Sequence, residues 1–122
     1  MNTSEVVHEY FDCVNTARWD DYVELFGKDV VMEEQLAGHI EGKVAVAGSI
    51  EGLRNNKTFR NVPREFVVEG DKAMVLWHIS FDGPKGEKIE ADGVNFFKVK
   101  EGKIVYFANF HDTRPFKPIL EG

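Results

Sequence analysis

From residue 59 to residue 112 the sequence is a nearly unbroken series of strand-forming runs, and the gaps between the runs are too short for much besides turns. Phe59 to Val68, Lys72 to Phe81, Glu87 to Lys100 and Lys103 to Asp112 are the four runs. They are separated by Gly70-Asp71, by the loop Asp82 to Gly86, and by Glu101-Gly102. A parallel crossover needs about a dozen residues or more, so strands joined this tightly pair antiparallel with their neighbours as a meander. Pro63 has no N–H to give a ladder, which places the first run at a sheet edge or at a bulge.

The first third has a different texture. Val6, Val7, Tyr10, Phe11, Val14 and Ala17 recur at three- and four-residue spacing, one face of a helix from about Ser4, a good N-cap, to about Arg18. Trp19, Tyr22, Val23, Leu25 and Phe26 precede Gly27 and predict a short second helix closed by that glycine. Val30 to Leu36 reads as a brief strand, Gly38 to Gly42 as a turn, and Val44 to Leu53 as a third helix weakened by Gly48, with Asn55 and Asn56 near its stop. The tail from Thr113 to Gly122, with Pro115 and Pro118, is expected to lie across the sheet or hang free. Helices followed by a run of antiparallel strands give an α+β fold, and 122 residues suffice for one domain with one core, residues 1–122. Helices cover one face of a strongly curved sheet only in part, and the remaining concavity is where a ligand would sit. The ten phenylalanines supply either a dense core or apolar cavity walls.

Several function classes are disfavoured. A net charge of −6 argues against nucleic acid and against anionic membrane surfaces. The basic cluster Arg54, Lys57, Arg60 and Arg64 is the local exception, read here as a solvated loop and strand start. No apolar run approaches a membrane span, and the polar start MNTSEVVHEY has no signal-peptide core, so the expected location is cytoplasmic. Phosphate-cradling glycine loops and the GxSxG elbow are missing, and His8, His39, His78 and His111 show no metal-ligand spacing. No cofactor or metal is therefore expected. Cys13, the single thiol, lies beside the apolar face of the first helix and is expected to pack.

Acid–base chemistry remains. In Val30-Val31-Met32-Glu33-Glu34-Gln35-Leu36 the two glutamates must point to opposite faces of a strand. Glu34 shares its face with Met32 and Leu36. A carboxylate there is costly unless paired or working, and desolvation would raise its pKa toward that of a useful base. The alternative is that both glutamates sit in solvent at a frayed strand end.

Residues 6–34, VVHEYFDCVNTARWDDYVELFGKDVVMEE, resemble the bacterial ketosteroid isomerases, members of the superfamily named for nuclear transport factor 2 (NTF2) that also holds SnoaL-type polyketide cyclases and limonene epoxide hydrolase. Residues 93–107, GVNFFKVKEGKIVYF, resemble the penultimate hairpin of that superfamily. The resemblance implies a cone-shaped NTF2-like fold enclosing a pocket. It places Tyr10 at the tyrosine that donates to a developing oxyanion and Glu34 at the proton-moving aspartate, with the same spacing between them. Asn95 stands on the strand that carries the second oxyanion donor, a protonated Asp, with Asp92 as the neighbouring candidate. Two of the three depart from the pattern: Glu34 is one methylene longer than Asp, and the Asn95 amide is a weaker donor than an acid O–H. His78, Trp77, Asn109 and His111 lie on strands where this superfamily places pocket groups, and alternation sends Trp77 away from His78 and Asn109 away from Phe110.

The implied activity is proton transfer on an apolar carbonyl compound. Glu34 would move the proton, and Tyr10 and Asn95 would hold the enolate oxygen. A binding or association module without turnover and a SnoaL-like cyclase or epoxide hydrolase are the alternatives, the last with Glu34 and Asp92 or Asp112 as its carboxylates. The superfamily commonly pairs through the outer sheet face. Val94, Phe96, Val105 and Phe107, in the phase opposite Asn95, are expected to form such a homodimer patch.

Overall fold

The computed structural model describes residues 1–120; Glu121 and Gly122, the end of the expected tail, lie outside the described residues. Its elements run α1 (Thr3–Asn15), α2 (Trp19–Glu24), β1 (Phe26–Glu34), β2 (Gly38–Glu41), α3 (Lys43–Ser49), α4 (Glu51–Arg54), β3 (Arg60–Glu69), β4 (Lys72–Asp82), β5 (Lys88–Lys100) and β6 (Lys103–His111). A 3-10 turn (Arg114–Phe116) and α5 (Lys117–Leu120) follow. The architecture is the α+β one expected, with helices at the N-terminal end and a six-stranded, curled, unclosed sheet in the order β2-β1-β6-β5-β4-β3.

The meander is present as β3 to β6, all antiparallel, with β3 on the edge and a register shift between Pro63 and Glu65. The first strand joins differently. β1 pairs in parallel with β6, Met32 opposite Phe107 and Glu33 opposite Ala108, and so brings the N-terminal third beside the end of the chain. No helix of the described residues is long and apolar enough to cross a membrane.

Several local expectations change. The N-cap is Asn2, not Ser4: its side chain accepts from the Glu5 N–H while Glu5 reaches back to the Asn2 N–H, a capping box. Helix α1 ends at Asn15, short of Arg18, because Ala17 is left-handed at φ 55°. The Arg18 N–H then bonds the Cys13 carbonyl and the Ala17 N–H that of Val14, a C-terminal motif that usually employs glycine. Gly27 does not close α2; it lies inside β1. The stretch expected to turn, Gly38 to Gly42, instead forms the short strand β2, opened by Gly38 and followed by Gly42, both at positive φ. The third helix is broken at Ile50 into α3 and α4.

Alternation sets the two faces of the sheet. In β4, Ala73, Val75 and Trp77 are buried on the concave face while Met74, Leu76 and His78 take the outer one. Helix α1 packs on the concave side against β3, β4 and β5. Here Tyr10, Phe11, Tyr22, Phe26, Phe97 and Phe107 form a ring cluster, with centroids such as Tyr10–Phe97 at 5.1 Å and Phe97–Phe107 at 5.3 Å. Phe107 belongs to this core, not to the outer patch expected of it. Lys98 pairs with Tyr106 but Val99 with Ile104, so Val105 is an extra residue in β6, and the bulge reverses the phase of everything after it. The outer apolar patch therefore consists of Met74, Leu76, Val94, Phe96 and Phe110, with Val67 from β3.

Candidate active site

The concave face, α1, α2 and the C-terminal turn enclose a cavity of about 760 Å3. Such a volume matches a drug-sized ligand. Its walls are mostly apolar, including Met32, Ile50, Phe59, Phe81, Phe107 and Phe116. Polar groups enter from inward strand positions (Glu34, Asn61, Asn95, Asn109 and His111) and from outside the sheet, Tyr10 and Lys57 among them.

Glu34 is the last residue of β1 and faces inward, as Met32 does; Glu33 faces outward and pairs with His39. Only 21% of the Glu34 side chain is exposed. Its Oε2 accepts from the backbone N–H of Leu36 at 2.8 Å and from that of Ala37, in the turn that follows the strand. The parallel β1–β6 pairing places Asn109 alongside. The Asn109 Nδ2 donates to Glu34 Oε1 at 3.3 Å, and its Oδ1 accepts from the Gln35 N–H at 3.1 Å.

His111 lies two residues beyond Asn109 on the same face, with its side chain 3% exposed. Its ring sits between Trp77 and Phe116, at centroid distances of 5.8 Å and 4.9 Å. The Nδ1 is 2.9 Å from the Asp112 carbonyl oxygen, which can only accept, so Nδ1 carries a proton. The other nitrogen, Nε2, is 3.9 Å from Glu34 Oε1. In a neutral ring Nε2 would turn a lone pair toward the carboxylate. A proton on Nε2 removes that repulsion, so the carboxylate favours the protonated form of His111 and His111 the charged form of Glu34.

The pKa directions follow. Burial pushes the Glu34 carboxyl up, but His111, the Ala37 and Leu36 N–H groups and Asn109 together outweigh it, and the pKa lies below the ordinary value of 4.5. The raised value expected from desolvation is thus reversed, because the turn donates two N–H groups to the charged form. The Glu34 carboxylate raises the pKa of His111 above 6.5 against the opposing effect of burial, and the Asp112 carbonyl adds to the rise. These signs define a stability window. A lowered Glu34 contributes stability that is present above 4.5 and lost as pH falls through its folded pKa. A raised His111 contributes stability that is complete below 6.5 and lost as pH rises through its folded pKa. The difference in melting temperature between the parent and His111→Asn should therefore be largest between these two values and shrink on both sides. A difference independent of pH would rule out the pairing.

Tyr10, from α1, is buried, and its hydroxyl pKa is driven well above the phenol range, chiefly by burial. Tyr22 and Asn95 lower it and the Glu34 charge raises it, so the hydroxyl stays a donor at neutral pH. Asn95, on the concave face of β5, is 1% exposed. It is near enough to influence Tyr10, yet no partner reaches hydrogen-bond geometry, and both Nδ2 and Oδ1 are buried without one. Trp77 Nε1 and Asn61 Oδ1 are likewise unpartnered, and both residues line the cavity. A buried unpaired polar atom costs about 1–3 kcal/mol. Gly93 admits the indole of Trp77: a Cβ there would lie 2.4 Å from two of its ring carbons.

Of the residues singled out in the sequence, Tyr10, Glu34, Asn95, Asn109 and His111 line one cavity. His78 and Asp92 do not. They are cross-strand partners on the outer face, joined at 2.9 Å, with Glu90 and Arg64 beside them. Alternation puts them there, since Trp77 and Asn95 take the inner positions. Cys13 is fully buried, and burial pushes its thiol up to about 11, as suits a packing residue. Tyr22 and Asn61 were missed by the sequence reading. Asn61 sits in an inward phase of β3, with its backbone held by both amide atoms of Asn15.

The comparisons agree with this fold. Residues 7–107 match the model of the SnoaL-like domain. Among solved structures, an NTF2-like protein of unknown function from Burkholderia pseudomallei K96243 superposes with a TM-score of 0.89 at 18% identity, over 100% of this chain and 99% of that one. SalBIII, an epoxide hydrolase/cyclase-like enzyme of pyran ring formation in salinomycin, gives 0.81 at 22% identity over 90% of each chain. A candidate ketosteroid isomerase from Kribbella flavida DSM 17836 gives 0.74 at 20% identity, over 90% of this chain and 77% of that one. Comparison with curated proteins gives no match. With the family pattern spanning most of its length and the curled sheet of the NTF2-like fold around the cavity, this chain belongs to the SnoaL-like domain family.

Proposed function

We infer that the protein is an acid–base enzyme that moves a proton on an apolar carbonyl compound held in the cone. The observation that carries this reading is the Glu34–His111 pair, two titratable groups 3.9 Å apart in a cavity whose walls are mostly apolar. Glu34 takes the proton from the carbon beside the carbonyl and returns it, with His111 modulating its charge. Tyr10 and Asn95 donate to the enolate oxygen, and the free Asn95 Nδ2 is suited to that task. The test is isomerisation of a β,γ-unsaturated ketosteroid to the conjugated enone, followed by absorbance. Turnover that collapses in Glu34→Gln is the expected result. Ligand binding without turnover would sink it in favour of a binding module, a reading favoured by the lowered Glu34 pKa, which weakens the carboxylate as a base.

The outer face supports self-association. Met74, Leu76 and Phe110 are each about half exposed and adjoin Val94 and Phe96, an apolar patch larger than scattered surface residues require. A homodimer through this face follows, and Leu76→Glu should convert it to monomer by light scattering. A monomeric parent at the same concentration would dispose of the dimer.

A further inference from the structure

A second depression, of about 370 Å3, adjoins the main cavity and shares Val14, Trp19, Asn56, Lys57 and Phe59 with it. Its remaining polar lining is Asn15, Thr16, Arg54 and Arg60. Three of its residues are cationic and none is acidic, in a chain with 21 acidic and 15 basic residues. The charges differ in how far they are compensated. Arg54 pairs with Asp20 at 3.0 Å and Glu51 at 3.3 Å. Arg60 donates through Nη1 to the carbonyls of Lys57 and Phe59, at 3.2 Å and 2.7 Å, which anchors the guanidinium without neutralising it. Among the described residues no carboxylate lies within ion-pair distance of Lys57 or Arg60. Lys57 is exposed and lines both spaces, so an anionic group on a ligand in the main cavity can meet its ammonium at the boundary of the two.

We propose that the ligand of the main cavity carries an anionic group, and that this group seats against Lys57 and Arg60 in the adjoining depression. The proposal rests on the small-molecule reading above and narrows it from an apolar carbonyl compound to an amphipathic one, apolar in the cone and negatively charged at its exposed end. An anion there gains from two cations that have no carboxylate within ion-pair distance among the described residues. It also reaches them past a surface of net negative charge, which makes the interaction a local rather than a long-range one. A neutral ligand of the same shape gains nothing from either residue.

Two fluorescent probes with the same aromatic body separate these cases: 8-anilinonaphthalene-1-sulfonate, which carries one sulfonate, and N-phenyl-1-naphthylamine, which carries none. At low ionic strength the sulfonate dye should bind the parent about tenfold more tightly than the neutral one, and raising the salt toward about 0.5 M should remove most of that advantage. Lys57→Gln, at an exposed side chain outside the core, should weaken the sulfonate dye several-fold and leave the neutral dye unchanged. Lys57→Glu combined with Arg60→Glu should abolish the preference, with circular dichroism reporting that the fold persists. Equal affinity for the two dyes, or equal losses for both in Lys57→Gln, would overturn the anion site and leave the acid–base reading standing. Binding of neither dye would overturn both, because the cavity would then be closed to ligands of this size. Dye binding that disappears in Leu76→Glu would place the probes on the outer sheet face and overturn the assignment.

Discussion

Glu34→Gln is expected to lower kcat/KM on a β,γ-unsaturated ketosteroid by about 10²–10⁴-fold, the range for losing a positioned general base. The substitution is nearly isosteric. Its amide oxygen can still accept from the Leu36 and Ala37 N–H groups that hold the carboxylate now. The proton acceptor is lost, and the carboxylate that raises the His111 pKa is lost with it. The fall should lie in kcat, with KM little changed, because in the proposed reaction Glu34 acts on the reacting carbon while the cavity walls do the binding. Tyr10→Phe should cost about 10²–10³-fold by removing one oxyanion donor. An active Glu34→Gln would remove Glu34 from the chemistry altogether. A His111→Gln variant with unchanged rate and pH profile would reduce the pair to a structural contact.

Phe97→Ala should be the most damaging single change to stability, at about 3–5 kcal/mol. Phe97 is wholly buried and touches the rings of Tyr10, Phe11 and Phe107 at centroid distances of 5.1, 6.4 and 5.3 Å. It is the point where β5, β6 and α1 meet, so no single element can shift to fill the space it leaves. Against a typical domain stability of about 5–15 kcal/mol, such a loss is a large fraction of the total. The readout is the denaturant midpoint at constant slope. Because Phe97 braces Tyr10, the variant should also lose turnover at temperatures where it is still folded. Phe97→Leu, which keeps most of the volume, should recover most of both. A cost below about 1 kcal/mol would mean that the ring cluster is not the core it resembles.

The meander was legible because its determinants are local. Gly70-Asp71 and Glu101-Gly102 specify turns, and Pro63 reports an edge position and a bulge without reference to any other strand. That Glu34 shares a face with Met32 was legible for the same reason, since period-two alternation requires it; that this face lines the cavity came from the structure. Alternation also separated Trp77 from His78 and Asn109 from Phe110, and the structure decided which of each pair faces inward. Alternation failed for Phe107, because the extra residue at Val105 is visible only in the pairing of two strands. It did not expel His78 and Asp92 from the list of pocket groups, because their sequence does not say which phase faces the helices.

What the sequence alone determined is therefore the main helices and strands (β2 and the break at Ile50 excepted), the antiparallel connectivity from β3 to β6, and the alternation within single strands. These depend on turn chemistry, on proline's missing N–H and on side-chain alternation, all of which act over a few residues. What only the tertiary structure decided is which distant segments lie side by side. The parallel contact of β1 with β6 joins Glu34 to Asn109, 75 positions apart, and brings His111 within reach of the same carboxylate. No local preference encodes that contact. It is set by the curl of the whole sheet over one shared core, and it turns a partly buried glutamate at a strand end into one half of an acid–base pair whose pKa moves opposite to the direction burial alone would give.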